Sequence, residues 1–166
     1  MQGRLCDQID NKIQSFPWEE WESEFEEASR INMNLMEWTL DQEALYENPL
    51  MTLEGQGRIR DLVEEFNLDI PSLTGDCFMQ APFWKAQKSL VDKLKNDFLT
   101  ICEASSIVGI KMIVVPLVDN GRLDTREQEN LLLEFLFSNQ LYFAEKNLTI
   151  IFESDFPPSE LKRFIG

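Results

Sequence analysis

Apolar residues along this chain fall into two alternating kinds of stretch. Four short runs are dense in strand-forming residues. They are Leu35 to Trp38, Ile70 to Leu73, Met112 to Val118 and Leu148 to Phe152. Between and around them the apolar positions recur every three to four residues, the period of a helix with one buried face. Trp18, Trp21, Phe25 and Ala28 define the first such stripe, in a helix expected to begin near Pro17, a favourable first-turn residue. The second runs from Thr52 to about Phe66 with Ile59, Leu62, Val63 and Phe66 inward, and Gly55 and Gly57 weaken its first turns. The third, from near Lys85 to Ser106, turns Leu90, Leu94, Phe98, Ile101 and Cys102 to one side. A fourth opens with Thr125 and Gln128 at capping-box spacing and buries Leu131, Leu132, Phe135 and Leu136. A last helix follows Pro157 and Pro158.

Helices and strands thus alternate from start to finish with no hairpin signal, which predicts a parallel sheet joined by right-handed crossovers. The near-continuous apolar run at Met112 to Val118 suits a parallel strand covered on both faces. The aromatic-rich stretch from Cys77 to Trp84 either packs back on the core or lines a pocket. No Gly-rich phosphate loop follows any strand, so the usual mark of a nucleotide-binding doubly wound sheet is missing. The expected fold is α/β, part of a (β/α)₈ barrel.

Length and composition fit one domain: 166 residues, 43% hydrophobic and 27% charged. No apolar stretch reaches the roughly 18 residues of a membrane span, and the first residues lack the apolar core of a secretory signal. A cytoplasmic location is the expectation. Cys6, Cys77 and Cys102 are odd in number and widely spaced, which predicts reduced thiols, buried or incidental, without a disulfide framework or zinc knuckle. A formal charge of −15 works against nucleic-acid binding, which needs a basic surface. Glu19, Glu20, Glu22, Glu24, Glu26 and Glu27 read as a solvated helix face. Histidine is absent, so chemistry here would rest on carboxylates, lysine or a metal-bound water.

Each apolar run leads to an acid: Glu37, Asp76, Asp119 and Glu153, spaced roughly every 35 to 45 residues, the length of a strand–helix unit. In parallel α/β folds the carboxyl ends of the strands form the ligand-binding rim. Glu153 ends a wholly apolar strand and precedes Ser154 and Asp155, which makes it the best candidate for a buried carboxylate in catalysis or metal binding. Glu37, between Met36 and Trp38, is expected to be partly buried. Asp76 after Gly75 and Asp119 before Asn120-Gly121 read equally as turn formers. A set of oxygen ligands suits a hard cation such as Mg²⁺ or Mn²⁺ better than zinc.

Several strings, Met1-Gln2-Gly3-Arg4-Leu5, Phe16-Pro17-Trp18-Glu19, Glu37-Trp38-Thr39-Leu40-Asp41, Pro71-Ser72-Leu73-Thr74, Phe78-Met79-Gln80-Ala81-Pro82-Phe83, Val115-Pro116-Leu117-Val118-Asp119-Asn120-Gly121 and Phe152-Glu153-Ser154-Asp155, resemble the sugar phosphate isomerase/epimerase family. That family belongs to the xylose isomerase-like TIM-barrel superfamily, which also holds endonuclease IV. The resemblance runs over the whole chain. It implies a metal-dependent isomerase or epimerase acting on a sugar or sugar phosphate, with a proton moved between adjacent carbons. It matches Glu153 to a metal ligand at the end of the fifth strand, and it makes Arg4 and Glu37 substrate-side residues; Asp119, as a strand-end acid, is counted with them as a candidate substrate-binding residue. By the same resemblance residues 1–166 correspond to strands two to five, with the first strand and strands six to eight absent. The metal site would then be incomplete and the chain inactive or nearly so. Two other readings stay open. One is a non-catalytic half-barrel interaction module, self-associating through open sheet edges. The other, disfavoured by the acidic charge and the lack of histidine, is a DNA-repair enzyme like endonuclease IV.

Overall fold

A computed structural model of the chain describes residues 4–7 and 15–166. Four parallel strands, β1 (Leu35–Thr39), β2 (Asp69–Thr74), β3 (Met112–Leu117) and β4 (Thr149–Ser154), lie side by side in sequence order. Around them run α1 (Ser23–Arg30), α2 (Leu53–Phe66), α3 (Asp76–Gln80), α4 (Lys88–Ile107), α5 (Arg126–Ser138), α6 (Gln140–Glu145) and α7 (Pro158–Ile165). Sequential strand order with every pair parallel is what a chain of strand–helix units produces when each crossover turns the same way. Among the described residues no helix is long and apolar enough to cross a membrane.

All the long helices cover one face of the sheet. Trp38, Leu73, Ile113 and Ile150 are register partners across the four strands, and the first three of these are fully buried beneath the helices. Burying such side chains contributes about 1.5–3 kcal/mol each. The core is strongly aromatic. Phe98 of α4 stacks on Phe78 at 4.3 Å and meets Phe135 of α5 edge-on at 5.3 Å. The opposite face alternates with it and carries Glu37, Ser72, Thr74, Met112, Val114, Ile151 and Glu153. Leu117 and its like are sealed, yet Met112 and Val114 are only half-buried, because among the described residues nothing comparable covers this second face. The expectation that the third strand is covered on both faces is therefore corrected to one.

Several local expectations hold for the reasons given. Thr52 caps α2 by accepting from the Gly55 N–H at 3.0 Å. Thr125 caps α5 by accepting from the Gln128 N–H at 3.3 Å, while Gln128 returns a bond to the Asp124 N–H at 2.8 Å. Gly55 is a requirement more than a weakness. A Cβ there would collide with the Pro49 carbonyl, which the 3-10 turn Pro49–Met51 pushes against the helix.

Other boundaries move. The first helix starts at Ser23, because residues 18–22 form turns that leave Trp18 exposed and lay Trp21 edge-on against Trp38 at 5.8 Å. Cys77 to Trp84 packs back on the core as α3 and a 3-10 turn, with the Trp84 indole N–H donating to the Gly121 carbonyl at 3.1 Å. Leu90 and Leu131 lie exposed at the margins of their stripes. Glu24, expected on the solvated face, is buried, where it accepts from the Leu5 N–H at 3.0 Å and the Cys6 thiol at 3.5 Å. Cys77 and Cys102 are free and buried, and desolvation pushes the Cys102 thiol up to about 12. Burial, with Glu24 close by, likewise pushes the Cys6 thiol up to about 11.

Candidate functional site

Parallel strands put their carboxyl ends on one side, and three of the four anticipated acids gather there. Glu37 lies within β1 on the open face. Its Oε2 accepts from the Ser72 hydroxyl and its Oε1 from the Thr74 hydroxyl, each at 2.7 Å. Both donors come from β2, where residues two apart point to the same side. The β1–β2 register, Glu37 beside Ser72 and Thr39 beside Thr74, makes the double contact possible. Thr39, two residues beyond Glu37 on the same face, is buried, and its hydroxyl has no hydrogen-bond partner.

Asp76 is the first residue of α3, directly after the Gly75 turn that ends β2. It is half-buried, and its carboxyl is pushed up to about 6, first by desolvation and then by the neighbouring charges of Asp41, Glu153 and Glu37. Four acids therefore share one electrostatic neighbourhood at the strand ends. Asp76, for which the sequence left a rim acid and a turn former equally open, is the acid these charges act on. Asp41, which the sequence reading left outside the site, belongs to it. No local signal marks Asp41, because its role depends on the loop after β1 folding back beside α3. That approach is fixed by backbone bonds from Leu40 N–H to the Thr74 carbonyl and from Cys77 N–H to the Leu40 carbonyl. Gln80 completes the tie, donating to Asp41 at 2.6 Å and accepting from the Gln42 N–H at 2.7 Å.

Glu153 stands on the open face near the end of β4, and its side chain is exposed. The expectation of a buried carboxylate is corrected here. Strict alternation turns Phe152 under α7 and leaves Glu153 facing outward. Asp119 occupies an exposed turn after β3 with a left-handed φ of 46°, where its carbonyl accepts from the Arg122 N–H. That is the turn-forming alternative. Arg122 pairs with Asp155 at 3.4 Å and Lys85 with Asp124 at 2.6 Å, so both cations already face acids. Arg4 and Glu37 line one cleft of about 210 Å³, together with Leu5, Met33, Leu35 and Met36.

The residues present do not by themselves fit a divalent cation. Glu153 is a single exposed carboxylate, and among the described residues no group of three acidic or thiol side chains converges to hold a metal.

No protein-family model and no curated protein sequence matches the chain. Solved structures do. A xylose isomerase domain protein from Planctomyces limnophilus superposes with a TM-score of 0.63 at 12% identity, covering 85% of this chain and 52% of that one. A xylose isomerase domain-containing protein from Salmonella typhimurium LT2 gives 0.52 at 16% identity, covering 79% of this chain and 43% of that one. The chain spans about half the length of these structures. Its four parallel strands and alternating helices thus have the fold of about half of a xylose isomerase-like TIM barrel.

Proposed function

We propose that this chain supplies part of the strand-end carboxylate rim of a sugar or sugar-phosphate isomerase or epimerase. The observation that carries the reading is the shared environment of Glu37, Asp41, Asp76 and Glu153, with Asp76 poised near 6. Isomerisation or epimerisation beside a carbonyl removes a proton from one carbon and returns one to its neighbour, or to the opposite face of the same carbon. The group that does this needs a pKa close to working pH. Asp76 meets that condition. Glu37, held between two hydroxyls, presents acceptor oxygens in a fixed orientation and suits binding the hydroxyls of a sugar. Arg4, in the cleft beside Glu37, suits an anionic or carbonyl oxygen of the ligand. A divalent metal at Glu153, as the resemblance implies, would need ligands from outside the described residues, so no step is assigned to it.

On this reading the isolated chain binds sugars weakly and turns them over little or not at all. Saturation-transfer NMR with aldoses, ketoses and their phosphates tests it. Saturation transfer that Glu37→Gln and Asp76→Asn abolish is the expected result. An absence of transfer to every sugar at tens of millimolar would overturn the site, and brisk turnover would overturn the expected inactivity.

A further inference from the structure

The loops at the strand ends are tied to one another, and the tie ends in a chemically reactive pair. In the turn after β3 the Asn120 side-chain amide donates to the Met79 carbonyl at 3.0 Å and to the Gln80 carbonyl at 3.3 Å. Both acceptors belong to the end of α3. Gln80 passes the contact on through its own side chain, to Asp41 at 2.6 Å and the Gln42 N–H at 2.7 Å. One amide thus joins the β3 loop to α3 and, through Gln80, to an acid whose charge acts on Asp76.

The fold forces the residue after Asn120 to be glycine. A Cβ at position 121 would collide with the Pro116 carbonyl and press on the Met79 Cα at 3.2 Å. Of all the asparagines in the chain, only Asn120 precedes a glycine. With no side chain beside it, a glycine nitrogen reaches a neighbouring asparagine side chain with the least steric hindrance. Packing that admits no Cβ therefore creates the reactive dipeptide.

The reaction open to this pair is hydrolytic. The Gly121 nitrogen loses its proton to hydroxide and attacks Asn120 Cγ. A C–N bond forms, the Cγ–Nδ2 bond breaks, ammonia leaves, and a cyclic imide results. Water then opens the ring, at Cγ to give aspartate or at the main-chain carbonyl to give isoaspartate. The sum is one water consumed and one ammonia released, with nothing oxidised or reduced. In the closed turn both reacting groups are held. The Gly121 N–H donates to the Val118 carbonyl at 2.8 Å, and the departing amide is clasped by the two α3 carbonyls. Conversion therefore runs from an opened turn, and its rate follows how often the clasp lets go.

The product cannot remake the clasp. A carboxylate has no donor for the Met79 and Gln80 carbonyls, and it adds another negative charge to a chain already at −15. Isoaspartate also lengthens the main chain, which displaces the Gly121 carbonyl from the Trp84 indole N–H. We propose that Asn120 is a modification site, at which loss of the side-chain amide through an imide with Gly121 releases α3 and the Gln80–Asp41 tie from the β3 loop. Neither the clasp nor the reaction depends on which ligand the rim takes.

The full chain serves for the test. One sample stays folded in mildly alkaline buffer, another is unfolded in urea, and peptide mapping by mass spectrometry follows every asparagine. Conversion in the folded sample should fall at Asn120 ahead of the others and run at least about tenfold slower than in urea. Hydrogen exchange then reads the release of α3 at the Cys77 and Ala81 amides, which donate to the Leu40 and Cys77 carbonyls. In the converted protein and in Asn120→Asp these amides should exchange about tenfold faster, while those in the middle of α2 keep their rates. Asn120→Ala, which removes the donor without adding charge, should loosen the same amides by a similar factor. Conversion first at another asparagine, none at Asn120, or equal rates in buffer and urea would overturn the proposal. So would unchanged Cys77 and Ala81 exchange in the converted protein or in Asn120→Ala.

Discussion

Asp76 binds its proton more tightly in the folded chain, at about 6, than its ordinary value of 3.8. The folded state therefore holds more protons than the unfolded state between those values. The contribution of this group to stability is full below about pH 4 and is lost as pH rises through 6. At neutral pH Asp76 is a net liability. A shift of this size corresponds to about 3 kcal/mol at most, and solvent screening of a half-exposed carboxyl reduces it to about 1 kcal/mol. Asp76→Asn should accordingly raise stability by about 1 kcal/mol at pH 7.5, with the gain vanishing below pH 4. Urea unfolding at the two pH values measures this. An equal gain at both would mean that charge is not the cause. Glu37 behaves differently, since hydroxyl donors hold it. Ser72→Ala and Thr74→Val should each cost about 1 kcal/mol, and less than additively because both donors share one carboxylate. A double-mutant cycle by thermal unfolding gives the coupling.

Single elements hold by contacts that one substitution can remove. Gly121→Ala should destabilise by about 2 kcal/mol or more, because the new Cβ would meet the Pro116 carbonyl where β3 turns over Trp84. Trp84 fluorescence in the folded state should report the displaced indole, and an unchanged spectrum with unchanged stability would contradict the packing. How much of this scale was legible in the sequence depends on where the information sits. Helix caps such as Thr52 and Thr125 act within four residues, and the alternation of Ile113 and Val115 with their neighbours is local, so the elements and their order could be read directly. The start of the first helix could not, because Trp18 and Trp21 have helical spacing, yet Trp21 is placed by a distant ring, Trp38 of β1. The same distinction governs the site. Glu37 and Glu153 follow from strand ends, whereas the raised carboxyl of Asp76 and the involvement of Asp41 arise from a loop crossing between strands. Burial of Glu153 was inferred from its apolar neighbours, and alternation across an uncovered face reverses that.

At the scale of the whole molecule, charge and coverage act together. Thirty acids against fifteen bases leave −15 on 166 residues, and at the strand ends Asp76 lies in the field of Asp41, Glu153 and Glu37. A compact state of this kind is destabilised by its own field, because unfolding lets the charges separate. Mobile ions relieve that repulsion over a distance that shrinks from roughly 30 Å at 0.01 M to about 8 Å at 0.15 M. The paired cations, Arg163 with Glu129 and Lys146 with Glu103, lose a little under the same screening, but exposed pairs contribute only about 0–1 kcal/mol. Repulsion among unpaired acids should dominate. The melting temperature should therefore rise by several degrees between 0.01 and 0.15 M NaCl. Asp76→Asn should show a smaller rise, since part of the relieved repulsion is its own. A melting temperature that falls with salt would mean that the attractive pairs, and not the rim, set the electrostatic balance of this half-barrel.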